Sequence, residues 1–169
     1  MAIVVEDATG LDNAESYADV AFFKSYFAAR GIDVTALTDD QIEQNLRLGT
    51  EYIDIRWGKS APGVAISEDQ ALCFPTDYFI TDPVSLPRAL VRATVEYAWF
   101  SYNNGLFLDN DGSSGPGITF LKEKVGPIET ETEWSGSGDG AVGRKYPIVA
   151  KADQLMRQIT LSGNGGVYR

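Results

Sequence analysis

Apolar positions recur at helical spacing in four stretches of this chain, and long polar or Gly/Pro-rich connections separate them. The first stretch is Val20, Phe23 and Phe27, preceded by Asp19 as a candidate N-cap and followed by Gly31 as a stop. In the second, Thr38-Asp39-Asp40-Gln41 has the form of a capping box, in which hydroxyl and amide satisfy the orphan backbone donors of a helix start. Behind it Ile42, Leu46, Gly49 and Ile53 make one stripe, so this helix is expected to lie against the first. A third helix is predicted from Pro87 to about Tyr102, apolar almost all round, and Asn103-Asn104-Gly105 ends it. Such a helix belongs in the middle of a core or at a subunit boundary. The fourth, from Pro147 to about Leu161, carries Ile148, Val149, Ala152, Leu155, Met156 and Ile159 on one side.

The connections differ in kind. Ile3-Val4-Val5 is a short strand candidate, and a turn-rich stretch follows from Asp7 to Asn13. Residues 57–83 hold Gly58, Pro62, Gly63, Pro75 and Pro83, which predicts a long irregular segment of the kind that often forms a binding surface. The runs Ile118 to Lys124 and Ile128 to Trp134 flank Val125-Gly126-Pro127, and they read as a projecting hairpin or extended arm with Phe120, Val125, Pro127, Ile128 and Trp134 as its apolar positions. Ser135 to Gly140 has linker composition. The expected organisation is therefore a helical core with hairpin over 1–134, the hairpin itself at about 118–134, a flexible linker over 135–146, and a C-terminal helix with a tail over 147–169. Mainly α, a small bundle of about four helices with a β-hairpin, is the expected fold class.

Composition narrows the chemistry. At 169 residues one core is expected, and a chain of this size buries roughly 70% of its unfolded surface. No apolar run approaches the roughly 20 residues of a membrane-spanning helix, and the start of the chain lacks a basic leader region, so a cytoplasmic site of synthesis and no membrane partner are expected. There is no histidine, and Cys73 is the one cysteine. Together these remove the usual general base, the Ser-His and Cys-His nucleophile pairs and most transition-metal sites. Catalysis, cofactors and metals are not expected.

Charge is uneven. The formal net charge is −10, with seventeen acidic against seven basic side chains over residues 1–110. Residues 144–169 reverse the balance, with Arg144, Lys145, Lys151, Arg157 and Arg169 against Asp153 alone. An acidic body is a poor surface for phosphates, which are bound by clusters of Lys and Arg.

Four local features suggest chemistry, and each has a plainer reading. Asp109-Asn110-Asp111-Gly112 opens like a calcium loop, but position twelve is Phe120 where a bidentate Glu is required, so it reads as a polar turn. Glu68, Asp69, Asp77 and Asp82 could be imagined as a metal-binding carboxylate cluster, yet no phosphate cradle accompanies them, and a solvated loop is expected. Cys73, between Leu72 and Phe74, reads as a small buried hydrophobe. The nineteen aromatic side chains could stack on nucleobases, but they lie in acidic or apolar segments, which favours packing in cores and interfaces.

An ordered set of segments carries a resemblance: Gly10 to Tyr17, Tyr26 to Gly31, Gly49 to Asp54, Asp69 to Leu72 with Phe74-Pro75, Leu86 to Ala89, and Lys122 to Ile128. In this order they resemble short phage proteins labelled DnaT-like single-stranded-DNA-binding proteins, which are similar in size and layout to head-to-tail connector (adaptor) subunits of tailed bacteriophages. The resemblance implies a virion protein at the neck. It would be a mainly helical adaptor in a ring, a dodecamer, beneath the portal protein, with a neck, stopper or tail protein below and genomic DNA passing through the lumen without specific binding. An acidic lumen suits that passage, because like charge repels phosphate over roughly 8 to 10 Å in physiological salt. On this reading the basic, aromatic-tipped end, through Arg157, Leu161, Val167, Tyr168 and Arg169, is the expected portal or subunit interface. The alternative is the single-stranded-DNA-binding module of a phage replication system that the label describes.

Overall fold

Asp19 begins the first helix as its pattern predicts, its carboxylate accepting the backbone N–H of Phe22 at 2.5 Å. Helix α1 then spans Val20–Ala28 and buries Phe23, Tyr26 and Phe27. The computed structural model describes residues 2–79, 85–107, 120–125, 128–133 and 146–160. Helix α2 spans Asp39–Trp57 behind the complete Thr38/Gln41 capping box, and Ile42, Leu46, Gly49 and Ile53 are all buried. Helix α3 spans Arg88–Asn104 and ends at Gly105, whose φ of 74° suits a residue without Cβ. Pro87 stands one place earlier than expected, at the N-cap. Helix α4 spans Ala150–Met156.

Fold class is as the pattern indicated: among the described residues the chain is mainly α, with four α-helices and one two-stranded antiparallel hairpin. The chain divides into two units, 1–106 with 148–169, and 107–147. In the first, α1 and α2 share a core through Phe23, Phe27, Ile42 and Leu46, to which α3 adds Val95 and Ala98. Gly49 explains why α2 and α3 approach so closely: a Cβ there would lie 2.9 Å from the carbonyl oxygen of Thr94 and 3.0 Å from the nitrogen of Ala98. Glycine is thus selected by contact with a neighbouring helix backbone, in a position that costs about 1 kcal/mol of helix propensity. The centre of α3 is buried continuously from Ala93 to Ala98, as its all-round apolar pattern required.

In the second unit, strand β1 (Phe120–Val125) pairs with strand β2 (Ile128–Glu133), with Phe120 opposite Glu133 and Val125 opposite Ile128. The expected hairpin is therefore present, with Phe120, Val125 and Ile128 on its strands. Pro127 and Trp134 lie outside the described residues, as do the linker residues 135–145 and the turn at 109–112.

Three expectations need correction. Ile3-Val4-Val5 makes one bridge, Val5 to Ser16, and no strand, because the chain turns back at once: the buried carboxylate of Glu6 accepts the N–H groups of Gly10 and Leu11. The last helix is shorter than Pro147 to Leu161. Val149 at φ −108°, ψ 84° is not helical, and Ile148 is 54% exposed, in keeping with the low helix preference of β-branched residues. Beyond Met156 the chain tightens into turns, with Gln158, Ile159 and Thr160 donating to the carbonyls of Leu155 and Met156. Cys73 is exposed as a residue, not buried, since its loop crosses the end of α2 with the thiol laid against Gly58.

Candidate functional site

The C-terminal helix, singled out by its basic character, is held by a polar network. Arg56 near the end of α2 reaches across to Asp153 in α4 with both guanidinium nitrogens, at 3.0 and 2.8 Å. The Tyr97 hydroxyl of α3 donates to the same carboxylate at 2.6 Å, and the Trp57 indole N–H donates to Tyr97 at 3.0 Å. With side chains 18% and 6% exposed, the Arg56–Asp153 pair is largely removed from water. Burial and the adjacent Asp153 carboxylate push the Tyr97 hydroxyl far above its ordinary pKa, so it remains a donor at any ordinary pH. A second tie joins Lys151 of α4 to Glu96 of α3, and Tyr26 of α1 donates to that same Glu96 at 2.6 Å. Three helices thus fix the point from which the chain continues toward its end.

Of the expected docking residues only Arg157 is described: it is exposed at the C-cap of α4, and no carboxylate engages it among the described residues. Leu161, Val167, Tyr168 and Arg169 lie outside the described residues.

Much of the basic charge of the body is engaged internally. Lys24 pairs with Asp39 at 2.5 Å, Arg47 with Glu15 at 3.0 Å and Glu43 at 3.6 Å, Arg56 with Asp153, and Lys151 with Glu96. The guanidinium of Arg30 lies over the ring of Tyr26. Arg88 and Arg92, one helical turn apart and exposed on α3, together with Lys59 and Arg157 have no carboxylate partner among the described residues. The large rings are mostly sequestered: Tyr17, Tyr52, Tyr97, Phe23, Phe27 and Phe74 are fully buried. Among the described residues Tyr78, Tyr102 and Phe107 are the exposed rings, at 60%, 44% and 41%.

Of the expected irregular surface at 57–83, residues 57–79 are described and firmly held, and 80–83 lie outside the described residues. Asp54 in the last turns of α2 is the hub: it accepts the Tyr17 hydroxyl at 2.5 Å and the Cys73 backbone N–H at 3.2 Å, while Tyr17 accepts the N–H of Phe74 at 3.1 Å. Gln70 ties the loop to itself, accepting from Ile66 at 2.9 Å and donating to the carbonyls of Leu72 and Pro75 at 2.6 and 3.2 Å. At the outer end Thr76 donates to Pro62, Asp77 accepts the N–H of Val64, and Ala65 pairs with Thr76. Burial pushes the Asp54 carboxyl up to about 6 and the Cys73 thiol up to about 11, the latter aided by the Asp54 charge. A thiol so raised is a weak nucleophile at neutral pH. Among the described residues no group of three or more His, Cys, Asp or Glu is placed to hold a metal, Glu68, Asp69 and Asp77 included, and Asp82 lies outside the described residues.

A family model described as "Putative DnaT-like ssDNA binding protein" matches residues 1–169 of the chain. Comparison with curated proteins and with solved structures finds no match.

Proposed function

We propose, from the premise that this chain belongs to the DnaT-like ssDNA-binding family, that it works without catalysis as a head-to-tail connector of a tailed bacteriophage. In this role copies of the chain form a ring beneath the portal, the portal and a neck, stopper or tail protein are its partners, and DNA passes through without being gripped. The carrying observation is the fate of the basic side chains. Lys24, Arg47, Arg56 and Lys151 are each spent on a carboxylate of the same chain. A single-strand binder needs those cations on its surface, interleaved with stacking rings, to track the phosphate backbone. Here the body keeps a surplus of carboxylates facing solvent, and Tyr17, Tyr52, Tyr97, Phe23, Phe27 and Phe74 are withdrawn into the core. Anchoring of α4 by the Arg56–Asp153 pair supports the use of the following residues as a docking arm, since a tail can transmit a hold only from a fixed base.

The family description favours the second reading, a single-stranded-DNA-binding module, and lends nothing to the connector role itself. Arg88, Arg92, Lys59 and Arg157 are the described cations open to phosphate on that reading. The two separate in an oligonucleotide titration at several salt concentrations with the full chain. A binder loses affinity on a logarithmic slope of about 0.7 per phosphate contacted. The connector reading expects no such binding at low salt, and salt-sensitive binding there overturns it in favour of the module. Deleting residues 162–169 is expected to abolish association with the portal while helical content stays unchanged, and undiminished association would remove the tail from the docking surface.

A further inference from the structure

Among the described residues α4 is the one element of the first unit that returns to it across another unit: residues 107–147 separate it in the chain from α3, on which it packs. Seven residues do not hold a helix in water by themselves, so α4 exists through the socket that receives it. That socket is specific. Ala152 and Met156 are fully buried, Arg56 of α2 and the Tyr97 hydroxyl of α3 converge on Asp153, and Glu96 of α3 takes Lys151. Each ion pair sets a charge of α4 against the opposite charge of the socket. A helix without an acid in the place of Asp153 would leave the largely buried Arg56 stranded, which selects this helix over others.

These contacts do not depend on socket and helix belonging to one chain. We propose that α4 is an exchangeable element, seated in its own socket in the free chain and in the α2–α3 socket of the next copy when copies stand side by side. Chain length permits this: the stretch of linker composition at 135–146, twelve residues, can span up to roughly 40 Å. Energetics permit it too, because exchange keeps every contact of α4 and alters only which copy supplies it. The balance is then set by concentration. A tethered helix competes at an effective concentration on the order of millimolar. Free chains well below that keep their own α4, whereas neighbours in a ring reach it by position. A copy that gives α4 on one side and receives it on another makes a heterologous contact, which runs head to tail and closes into a ring when the rotation allows. The net charge of −10 pushes copies apart, and this joint opposes it with pairs of opposite charge. The exchange rests on the ring-forming part of the function proposed above, and it supplies the subunit joint for that ring.

Two single-thiol forms of the full chain test it, both built on Cys73→Ser to remove the exposed native thiol. One carries Glu96→Cys in the socket and the other Lys151→Cys on α4. A short bismaleimide joins these positions across two proteins when α4 of the second lies on α3 of the first. Mixed at roughly millimolar concentration, the two are expected to give a cross-linked heterodimer. Moving the second thiol to the exposed loop by Val64→Cys, in place of Lys151→Cys, is expected to lose that product, which controls for chance collision. Circular dichroism checks that each variant keeps the helix content of the parent. Sedimentation velocity of the unmodified chain gives a reading independent of the variants: it is expected to pass from monomer to larger species as the concentration nears that range. No heterodimer from folded proteins, an equal yield with Val64→Cys, or an unmodified chain that stays monomeric throughout overturns the exchange. Adding portal rings separates the two ideas. A chain that docks on the portal yet gives no cross-link there or in solution removes the exchange only, and one that cross-links in this pattern but ignores the portal removes the connector reading only.

Discussion

Gly49 carries more of the fold than its size suggests. Any side chain there meets the backbone of α3 at Thr94 and Ala98, so neither partner can yield by changing rotamer. Gly49→Ala is expected to destabilise the protein by about 1 to 3 kcal/mol despite the better helix propensity of alanine, read as a lower midpoint in urea unfolding followed by circular dichroism. Asp54 gives a prediction in pH. Burial pushes its carboxyl from the ordinary carboxylate range up to about 6. A carboxyl raised on folding favours the folded state in its protonated form, so its contribution is present below the unfolded value and is lost as pH rises through about 6. The groups facing it are the Tyr17 hydroxyl, pushed well above its ordinary value by burial, and the Cys73 thiol near 11, and neither titrates in that window. Amide exchange at Cys73 and Phe74, corrected for intrinsic rates, is therefore expected to slow on going from neutral pH to about pH 5. Asp54→Asn should remove that dependence. Exchange that is equally fast at both pH values in the parent would show that Asp54 does not set the hold on the loop.

At the scale of elements, boundaries written in a local residue pattern are readable, among them the α3 end at Asn103-Asn104-Gly105, and those of α4 are not. The Thr38/Gln41 box and the Asp19 cap are local patterns, fixed by residues within one turn, and both helices begin where those patterns place them. Helix α4 is shorter than its apolar pattern because that pattern continues into turns at Gln158 and Ile159, which periodicity cannot distinguish from helix. Its anchor was invisible for a different reason. Asp153 interrupts an apolar stripe, and its partners Arg56 and Tyr97 lie 97 and 56 residues away in sequence. The Asp54 hub has the same character, joining Tyr17 and Cys73 to α2 from far-apart segments, so the loop could be flagged by its Gly and Pro content but not seen as fastened. Removing one member of a buried ion pair strands the other. Asp153→Ala is accordingly expected to cost roughly 3 to 5 kcal/mol, and the double change Arg56→Met with Asp153→Leu to recover much of it. Thermal unfolding of the parent and the two variants checks this, and an equal loss in single and double variants would argue that Asp153 acts by packing alone.

For the whole molecule, the acidic surplus visible in the composition took on meaning once the pairing of individual cations was known. A net charge of −10 alone leaves open a basic groove on an otherwise acidic protein. What speaks against a groove built from the body is that Lys24, Arg47, Arg56 and Lys151 each face a carboxylate, and that Tyr17, Tyr52, Tyr97, Phe23, Phe27 and Phe74 are interior. Family membership was within reach of the sequence because ordered segments spread over the chain carried it, whereas the choice between a connector and a single-strand binder depends on surfaces that only folding assembles. The measurement that bears most directly on this choice is the mass of the complex formed when the full chain is mixed with the portal protein that the connector reading assigns to it. A connector predicts a portal ring that gains many copies of the chain at a fixed ratio. Portal rings that gain no mass, under conditions where both proteins are folded, would contradict the account.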